Sequence, residues 1–299
     1  MKNKLFAIGN GLDIAHNLPT KFDPDFKNIA IKYEQGNFWD LYQSHKDDIW
    51  SDFENLLGRP DFNDLEKIFD GYAPDYSSDR ESDRDDIICQ VAINGNLRNA
   101  LYEFADNAEE SLRHIQKNDF LENILDLDGY YITFNYTHTL EALYDIPLDQ
   151  ILHIHGEVGK NNLALGYPKG SFMPEKYIDD VRRKGRGPYV EKEIDDYADE
   201  IEDHYIRTAY TELIKKCRSF YKELKIDVLE NFLDKNQYEI EEVIVYGHSF
   251  AIDLEYFRYL NMRYHEASWF FYVRETEQEE NINAFIKSNN ISKANIIKI

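Results

Sequence analysis

The stretch LFAIGNGLD, residues 5–13, runs from four apolar residues through two glycines to an acid. The apolar run predicts a short buried β-strand, and Gly9 and Gly11 predict a tight turn into a helix that ends before Pro19. Such a turn lets the backbone approach a ligand closely and directs the free N–H groups of the helix at a phosphate. The third glycine of the dinucleotide fingerprint and the Gly-Lys-Ser/Thr of a P-loop are both missing. The alternative is therefore a plain turn in which Asp13 caps the helix.

Six further short apolar runs predict strands, at residues 130–134, 151–154, 163–165, 243–246, 269–273 and 296–299. These runs are continuous instead of alternating, which is typical of a parallel sheet covered on both faces. Apolar residues at three- and four-residue steps predict a helix with a stripe from Leu97 to Ile115, and a long amphipathic helix from Ile206 to Leu224. We therefore expect an α/β fold with a mostly parallel sheet. It forms a single domain over residues 1–299, with helical insertions at about 21–125 and 168–240.

The composition excludes several classes of protein. The chain carries 57 acidic and 34 basic residues, a formal charge of −23, which repels nucleic-acid phosphates and anionic membranes. No apolar run approaches membrane-spanning length and the N-terminus does not resemble a signal peptide, so we expect a cytoplasmic protein. The acidic segment at 72–86 predicts an exposed loop. The two cysteines, Cys89 and Cys217, are expected to be buried apolar residues and not zinc ligands.

Polar residues follow the strand predicted at 130–134, in the sequence TFNYTHTLE at residues 133–141. Asn135 offers an uncharged amide at the carboxyl end of a strand, where open α/β sheets bind their ligands. The alternative is that the Asn135 side chain satisfies only its own turn. Glu141 is positioned to help cap the helix that these residues open.

The next predicted strand ends in HIHGE, residues 153–157. On a strand, His153 and His155 face the same side, as two ligands of a metal would. Two imidazoles without a second cluster at ligand spacing indicate a metal only weakly. A single histidine beside Gly156 suits general-base chemistry equally well, and the other histidine would then be structural.

The strand predicted at 243–246 is followed by Gly247, His248 and Ser249, and then by Asp253. The Gly-x-Ser turn offers backbone N–H groups and a hydroxyl to a phosphate or a ribose. Residues 250–251 are Phe and Ala, so the second glycine of a nucleophile elbow is missing and a serine hydrolase is not expected. Because a parallel sheet gathers the carboxyl ends of its strands on one edge, we expect all four motifs to meet there.

Together, four segments resemble the AbiH family of bacterial abortive-infection proteins, which act in phage defence. They are GNGLDIAHNLPT at residues 9–20, TFNYTHTLE at 133–141, HIHGE at 153–157 and VYGHSFAIDLEYF at 245–257, in the family's order. The resemblance implies that the protein depletes a nucleotide during phage attack and so ends the growth of the infected cell.

A second resemblance is to the sirtuin-like superfamily of NAD-consuming proteins, and it implies a Rossmann-like sheet. Residues 9–19 have the spacing of the sirtuin segment Gly-Ala-Gly-x-Ser-x-x-x-Gly-Ile-Pro, with Asp13 in place of the serine and Asn17 in place of the later glycine. The ribose-site asparagine, the catalytic His-Gly and the Gly-x-Ser turn of that superfamily match Asn135, His155, Gly156, Gly247 and Ser249. Two cysteines cannot supply the four-cysteine zinc module of sirtuin deacetylases, so protein deacylation is not expected.

This resemblance implies hydrolysis of NAD, or of a close nucleotide relative, at the nicotinamide–ribose bond, with no cofactor and no metal required. The catalytic residues would be Asn135, which positions the ribose and the attacking water, and His155, which accepts a proton from a ribose hydroxyl or from that water. Gly9, Gly11 and Ser249 would hold the diphosphate. The full set of expected nucleotide-binding residues is Gly9, Asn10, Gly11, Asp13, Thr133, Tyr136, Gly156, Gly247, His248, Ser249 and Asp253.

Two other functions stay open at the level of sequence. In the first, the fold binds a nucleotide without hydrolysing it, and the protein is a sensor or an interaction module. In the second, His153, His155, Glu157 and Asp253 hold a metal for a phosphohydrolase or a nuclease. The expected partner is a small-molecule nucleotide, and neither a membrane nor a nucleic acid is expected. A homo-oligomer and a phage-derived trigger are both compatible with the sequence.

Overall fold

The computed structural model describes residues 3–33, 38–39, 41–42, 49–61, 97–168, 171–172, 198–235 and 239–299. The loop predicted at 72–86 and Cys89 lie outside these residues. The chain forms two compact units. The first consists of Met1–Lys21, Leu101–Ala164 and Leu224–Ile299, and the second of Phe22–Ala100 and Leu165–Glu223. The expectation of a single domain with two insertions stays a prediction.

The described residues form eight β-strands and ten α-helices. The strands are β1 (Lys4–Ile8), β2 (Tyr130–Thr133), β3 (Ile151–His153), β4 (Tyr167–Pro168), β5 (Tyr221–Lys222), β6 (Glu242–Tyr246), β7 (Ser268–Val273) and β8 (Ala294–Lys298). The helices are α1 (Gly11–Ala15), α2 (Lys27–Tyr33), α3 (Phe53–Leu56), α4 (Leu97–Leu112), α5 (Asp119–Glu122), α6 (Thr139–Tyr144), α7 (His204–Arg218), α8 (Ile226–Lys235), α9 (Leu254–Arg263) and α10 (Thr276–Ser288). None of the helices in these ranges is both long enough and apolar enough to cross a membrane.

The first unit is built on a six-stranded sheet with the order β3-β2-β1-β6-β7-β8. Every neighbouring pair of strands in it is parallel, as the sequence predicts. Along the chain, β2 is added beside β1 and β3 beside β2. β6 then pairs with the other edge of β1, and β7 and β8 are added beyond it. The order therefore reverses between β1 and β6, and open parallel sheets bind ligands at the carboxyl ends of the strands at such a reversal.

Both faces of this sheet are buried, which explains the continuous apolar runs. Side chains alternate between the two faces of a strand. On one face, Leu5 and Ala7 of β1 pack in a cluster with apolar residues of α8, α9 and α10. On the other face, Phe6 and Ile8 pack with residues of α1, α5 and α6. The side chains of residues 5–8 are all fully buried, so an alternating pattern would leave one helical layer without an apolar contact.

Three predicted elements differ from the structure. The helix predicted to reach Ile115 ends at Leu112. The strand predicted at 163–165 is wrong, because the Ala164 backbone bonds to the loop that follows β3: its N–H donates to the His155 carbonyl at 2.8 Å. The helix predicted to reach Leu224 ends at Arg218. The carbonyl of Phe220 accepts a hydrogen bond from the Tyr167 N–H at 3.1 Å, which begins the pairing of β4 with β5.

The second unit contains this two-stranded parallel sheet and a set of packed aromatic rings. Trp50 stacks on Phe53 with ring centroids 4.9 Å apart. Glu54 and Lys222 form an ion pair at 3.0 Å in which both side chains are almost fully buried. Cys217 is buried, as the sequence predicts, and burial raises the pKa of its thiol to about 12.

Candidate functional site

The glycine turn after β1 packs directly against the turn after β6. The Gly9 N–H donates to the Tyr246 carbonyl and the Gly11 N–H to the Gly247 carbonyl, both at 2.9 Å. A Cβ on Gly11 would lie 2.4 Å from the Gly247 Cα, and a Cβ on Gly9 would lie 2.5 Å from the Gly247 oxygen. The contact between the two backbones therefore requires both glycines, whatever ligand they meet.

Asp13 lies within α1 and is buried by residues that follow β2. Its carboxylate oxygens accept hydrogen bonds from the hydroxyls of Thr137 at 2.6 Å and Thr139 at 2.7 Å. The alternative that Asp13 caps α1 is wrong, because this carboxylate is bound elsewhere and α1 has no side-chain cap. Burial raises the pKa of Asp13 to about 6, against the opposing effect of the two threonines and of the nearby Asn135 amide. Asp13, Asn135, Thr137 and Thr139 are called the Asp13 site below.

Asn135 has a buried side chain that the protein leaves unsatisfied. Its backbone N–H donates to Thr133 Oγ1 at 3.1 Å, and its carbonyl faces His153 Nδ1 at 3.1 Å. The side-chain atoms Oδ1 and Nδ2 are buried and have no hydrogen-bond partner among the described residues. The amide lies near enough to Asp13 to lower the pKa of that carboxyl, but it makes no hydrogen bond of good geometry to it. The alternative in which this side chain satisfies its own turn is therefore wrong. A buried amide without a partner costs about 1–3 kcal/mol, which makes Asn135 a candidate ligand contact.

Two histidines and three glutamates adjoin this site, and they are called the histidine–glutamate cluster: Glu109, His138, Glu141, His153 and Glu157. His138 lies between two carboxylates, with Nδ1 2.9 Å from Glu109 Oε1 and Nε2 3.1 Å from Glu157 Oε2. The hydrogen bond with Glu109 is the main reason that the pKa of His138 is raised to about 9. Burial alone would raise the pKa of Glu109, but the hydrogen bonds from His138 outweigh it and lower that pKa.

The other histidine of the cluster joins β3 to α6. His153 Nε2 lies 2.8 Å from Glu141 Oε1. Glu141 is therefore used in a tertiary contact, and the prediction that it helps cap α6 is wrong. The N-cap position of α6 is His138, which makes no side-chain capping hydrogen bond.

His155 belongs to a different environment from His153. The prediction that both face the same side is wrong, because β3 ends at His153 and the chain turns there. His155 Nε2 lies 2.9 Å from Asp253 Oδ2, and both side chains are almost fully buried. The His155 ring packs edge-on against Phe134, with centroids 5.3 Å apart, and against Tyr256. A carboxylate paired with an imidazole in this way orients a general base.

Three other residues expected to bind a nucleotide have structural roles of their own. Asn10 Nδ2 donates to the Thr20 carbonyl at 2.6 Å. The Tyr136 hydroxyl donates to the Ala164 carbonyl at 2.6 Å, which anchors the loop after β3. Gly156 has φ of 91°, a left-handed conformation that favours glycine.

The turn after β6 differs in exposure between its two candidate residues. His248 is buried, with its ring 4.6 Å from that of Phe134 and its Nδ1 accepting a hydrogen bond from the Phe250 N–H at 3.1 Å. Ser249 is exposed, and its Oγ accepts from the Ala251 N–H at 3.3 Å. Of the two, Ser249 is the residue that an incoming ligand can reach.

The two residues expected to be catalytic thus differ: His155 is paired with Asp253, and the Asn135 side chain lies near Asp13 without a hydrogen-bond partner among the described residues. Among the described residues, the group placed to hold a metal ion is His138, Glu141 and His153, whose ligand atoms lie within 4.8 Å of one another. The set expected for a metal-dependent hydrolase, which shares only one member with this group, is His153, His155, Glu157 and Asp253.

Sequence reasoning missed several residues that the structure brings into these sites. They are Glu109, Thr137, His138 and Thr139. The signal was present in residues 137–139, Thr-His-Thr, whose polar side chains alternate in direction: both threonines contact Asp13, and the histidine between them contacts glutamates. If this stretch is interpreted only as the start of a helix, the alternating directions of its side chains are not recognised.

The fold and these groups define a parallel α/β protein with a candidate ligand site at the carboxyl edge of its sheet. The family model described as bacteriophage abortive infection AbiH matches residues 5–273. The chain therefore belongs to the AbiH family, and this membership suggests a role in abortive infection by phage. No curated protein and no solved structure matches the chain. The AbiH resemblance is thus confirmed, whereas the sirtuin resemblance stays a prediction.

Proposed function

We propose that this AbiH protein acts in abortive infection by hydrolysing NAD, or a closely related nucleotide, at the nicotinamide–ribose bond. The observation that carries the proposal is the buried amide of Asn135, which has no hydrogen-bond partner among the described residues and lies near Asp13. It offers a donor and an acceptor at the carboxyl end of β2. A ribose with its adjacent water is a ligand that uses both.

The strand order supports a nucleotide site at this edge. Counted within the six-stranded sheet alone, the order is 3-2-1-4-5-6, which is the order of dinucleotide-binding sheets. On this ground we propose a Rossmann-like fold of the sirtuin type, with Gly9 and Gly11 at the reversal point. Asn17, which replaces a glycine of the sirtuin segment, has φ of 58°. Asparagine tolerates this left-handed conformation, so the replacement keeps the glycine's backbone.

The chemistry asks little of the protein beyond orientation and a base. The C1′–N bond of the ribose breaks through an oxocarbenium-like state, and its electron pair passes to the nicotinamide nitrogen. A water oxygen then bonds to C1′ and the water loses a proton, which gives nicotinamide and ADP-ribose. In our proposal Asn135 orients the ribose and the water, and His155, oriented by Asp253, accepts the proton. Asp13 accepts a hydrogen bond from a ribose hydroxyl, which its pKa of about 6 allows at neutral pH.

The degree of burial also fits a second candidate function. Asp13 is 1% and Asn135 is 5% exposed, so a nucleotide reaches them only after a neighbouring segment moves. A site of this kind also suits a sensor that binds a nucleotide without turning it over. It equally suits a hydrolase that a phage-derived trigger opens.

The test is nicotinamide release from NAD by the purified full chain, with and without EDTA. We expect release that resists EDTA and disappears in both Asn135→Ala and His155→Ala. The matched control is His265→Ala, since His265 is an exposed histidine paired with Glu266 at 3.6 Å. Thermal stabilisation by NAD or ADP-ribose without release would favour the sensor. If the assay showed no nicotinamide release and no thermal stabilisation, both candidates would be contradicted.

A further inference from the structure

The histidine–glutamate cluster brings metal-binding side chains together outside the residues that the proposed hydrolysis uses. His138, Glu141 and His153 each offer one ligand atom, and these atoms lie within 4.8 Å of one another. The His153 and Glu141 side chains are 6% and 13% exposed, whereas His138 is 26% exposed. The group is therefore sheltered and still reachable from solvent on its His138 side.

The second ring nitrogen of each histidine is held as it is in metal-binding histidines. His153 Nδ1 lies 3.1 Å from the carbonyl oxygen of Asn135, which can only accept, so Nδ1 carries the hydrogen. His138 Nδ1 lies 2.9 Å from Glu109 Oε1. Histidine ligands almost always donate their other N–H to a carbonyl or a carboxylate, which fixes the ring and leaves Nε2 for the metal. In His153, Nε2 is therefore the nitrogen that a metal would use, whereas His138 has a carboxylate against each ring nitrogen.

Carboxylates already lie against both Nε2 atoms. Glu141 Oε1 is 2.8 Å from Nε2 of His153, and Glu157 Oε2 is 3.1 Å from Nε2 of His138. The other oxygen of Glu141, Oε2, is buried and has no partner among the described residues. With metal–ligand bonds of about 2.0–2.2 Å, nitrogen and oxygen lie about 3.4 Å apart across a tetrahedral ion. A small expansion would therefore let an ion lie between Nε2 of His153 and the Glu141 carboxylate.

We propose that His138, Glu141 and His153 bind one divalent transition-metal ion of the Zn²⁺ type, through one ring nitrogen of each histidine and a carboxylate oxygen of Glu141. Imidazole donors favour this class over Mg²⁺ and Ca²⁺, which prefer oxygen ligands. The charges agree with a dication. With neutral imidazoles, three glutamates and Lys160, which lies 2.6 Å from Glu157, sum to −3 + 1 = −2.

The ion would act on the segment that carries the Asp13 site. His153 holds the Asn135 carbonyl through Nδ1, and His138 lies between Thr137 and Thr139 in the chain. A metal that fixes both rings therefore holds this segment in place. Its function is to stabilise and position, so its removal lowers thermal stability without removing any group that the proposed hydrolysis uses.

The test measures metal binding directly, without reference to NAD. The full chain is stripped with EDTA, dialysed against Zn²⁺ with excess Mg²⁺ present, and its bound zinc is counted. We expect one Zn²⁺ per chain, a higher unfolding temperature on binding, and at least a tenfold loss of affinity in Glu141→Gln. The control is His265→Gln, which removes an exposed histidine beside Glu266 and should bind as the wild type does.

Two results would overturn the proposal. One is the absence of stoichiometric zinc, and the other is equal affinity in the wild type and Glu141→Gln. If Glu141→Gln folds poorly, a second measurement uses the wild type alone. Added Co²⁺ should then give the intense visible absorption of a four-coordinate site with nitrogen ligands. Only the weak absorption of hydrated Co²⁺ would contradict the site even without any variant.

Discussion

Two neighbouring groups of polar side chains share the segment 135–141, and they are built differently. Asn135, Thr137 and Thr139 belong to the Asp13 site, and His138 and Glu141 belong to the histidine–glutamate cluster. In the Asp13 site, a buried carboxylate is held by two hydroxyls, and an amide has no partner among the described residues. In the histidine–glutamate cluster, both nitrogens of both rings face an oxygen acceptor. The Asp13 site therefore lowers the free energy of unfolding, and the histidine–glutamate cluster raises it.

The comparison separates a structural role from a functional one. Buried polar groups are nearly always hydrogen-bonded in folded proteins, so an exception needs an explanation. The ring nitrogens of the cluster need none, since each faces an acceptor, and the unpartnered atom in the cluster is Glu141 Oε2. The unsatisfied amide and the acid with a raised pKa lie in the other group, at the sheet edge where ligands bind. The difference therefore favours the Asp13 site, and not the cluster, as the group kept for the proposed nucleotide.

The largest effect is expected from Gly11→Ala, which would break the Asp13 site alone. The new Cβ would lie 2.4 Å from the Gly247 Cα, and backbone cannot move aside as a flexible side chain can. The shift falls on α1, which carries Asp13 but no member of the cluster. We expect a loss of about 3 kcal/mol in the free energy of unfolding, measured with urea.

The control for this change is Gly159→Ala. Gly159 has φ of 79° with no atom within 4 Å of an added Cβ, so it isolates the cost of a left-handed backbone. That cost is about 1–2 kcal/mol. A loss for Gly11→Ala no larger than the loss for Gly159→Ala would mean that the two turns do not pack as described.

His138→Gln tests the stabilising character of the cluster through its pH dependence. The pKa of His138 rises from 6.5 to about 9 in the folded protein, mainly through the hydrogen bond with Glu109. The stabilisation is therefore complete below pH 6.5 and is lost as the pH rises through 9. At 1.4 kcal/mol per pKa unit it amounts to roughly 3 kcal/mol. In urea unfolding, His138→Gln should have a much lower free energy of unfolding than the wild type at pH 6 and a similar one at pH 10. An equal difference at both pH values would contradict the stabilising role of the cluster.

Asp13→Asn is expected to act in the opposite direction. The pKa of Asp13 rises from 3.8 to about 6 on folding, so ionisation costs the folded state. Wild-type stability is therefore reduced as the pH rises from about 4 through 6, and asparagine removes the cost. The stability of Asp13→Asn relative to the wild type should increase by roughly 2 to 3 kcal/mol between pH 4 and pH 8. A flat difference across this range would mean that the carboxylate is not buried in the folded protein.

The sheet could be predicted from the sequence because its signals are local. The apolar runs at β1, β2, β3, β6, β7 and β8 are short and dense, and the bounds differ from the predictions by at most two residues. The failure at 163–165 has a local cause that no propensity contains: a tertiary hydrogen bond to the His155 carbonyl holds Ala164 in a loop. Similarly, α7 ends where the Phe220 carbonyl joins β4, although its apolar periodicity continues.

The candidate site could be predicted only in part. Strand ends identified Asp13 and Asn135 as neighbours at one edge, because parallel strands place their carboxyl ends together. The partners of Asp13 could not be predicted, since Thr137 is 124 residues away and its hydroxyl contact depends on the direction of a side chain in a turn. The different environments of His153 and His155 could not be predicted for a related reason. They depend on whether β3 ends at residue 153 or continues to residue 155.

The smallest effect on stability, and the most direct test of the central claim, is expected from Asn135→Ala. If the amide is kept for a ligand, removing it relieves the cost of an unsatisfied buried group and also loses packing. These effects oppose each other, so the free energy of unfolding of the free protein should change by less than about 1 kcal/mol. The matched control is Asn118→Ala. Asn118 Oδ1 accepts hydrogen bonds from the Phe120 and Leu121 N–H groups, and its loss should cost about 1 kcal/mol.

The decisive measurement is the rise in unfolding temperature that saturating ADP-ribose gives in the wild type, Asn118→Ala and Asn135→Ala. Our account predicts an equal rise in the wild type and Asn118→Ala and none in Asn135→Ala. A full rise in Asn135→Ala would contradict it, because the ligand would then bind without the amide that we propose is kept for it.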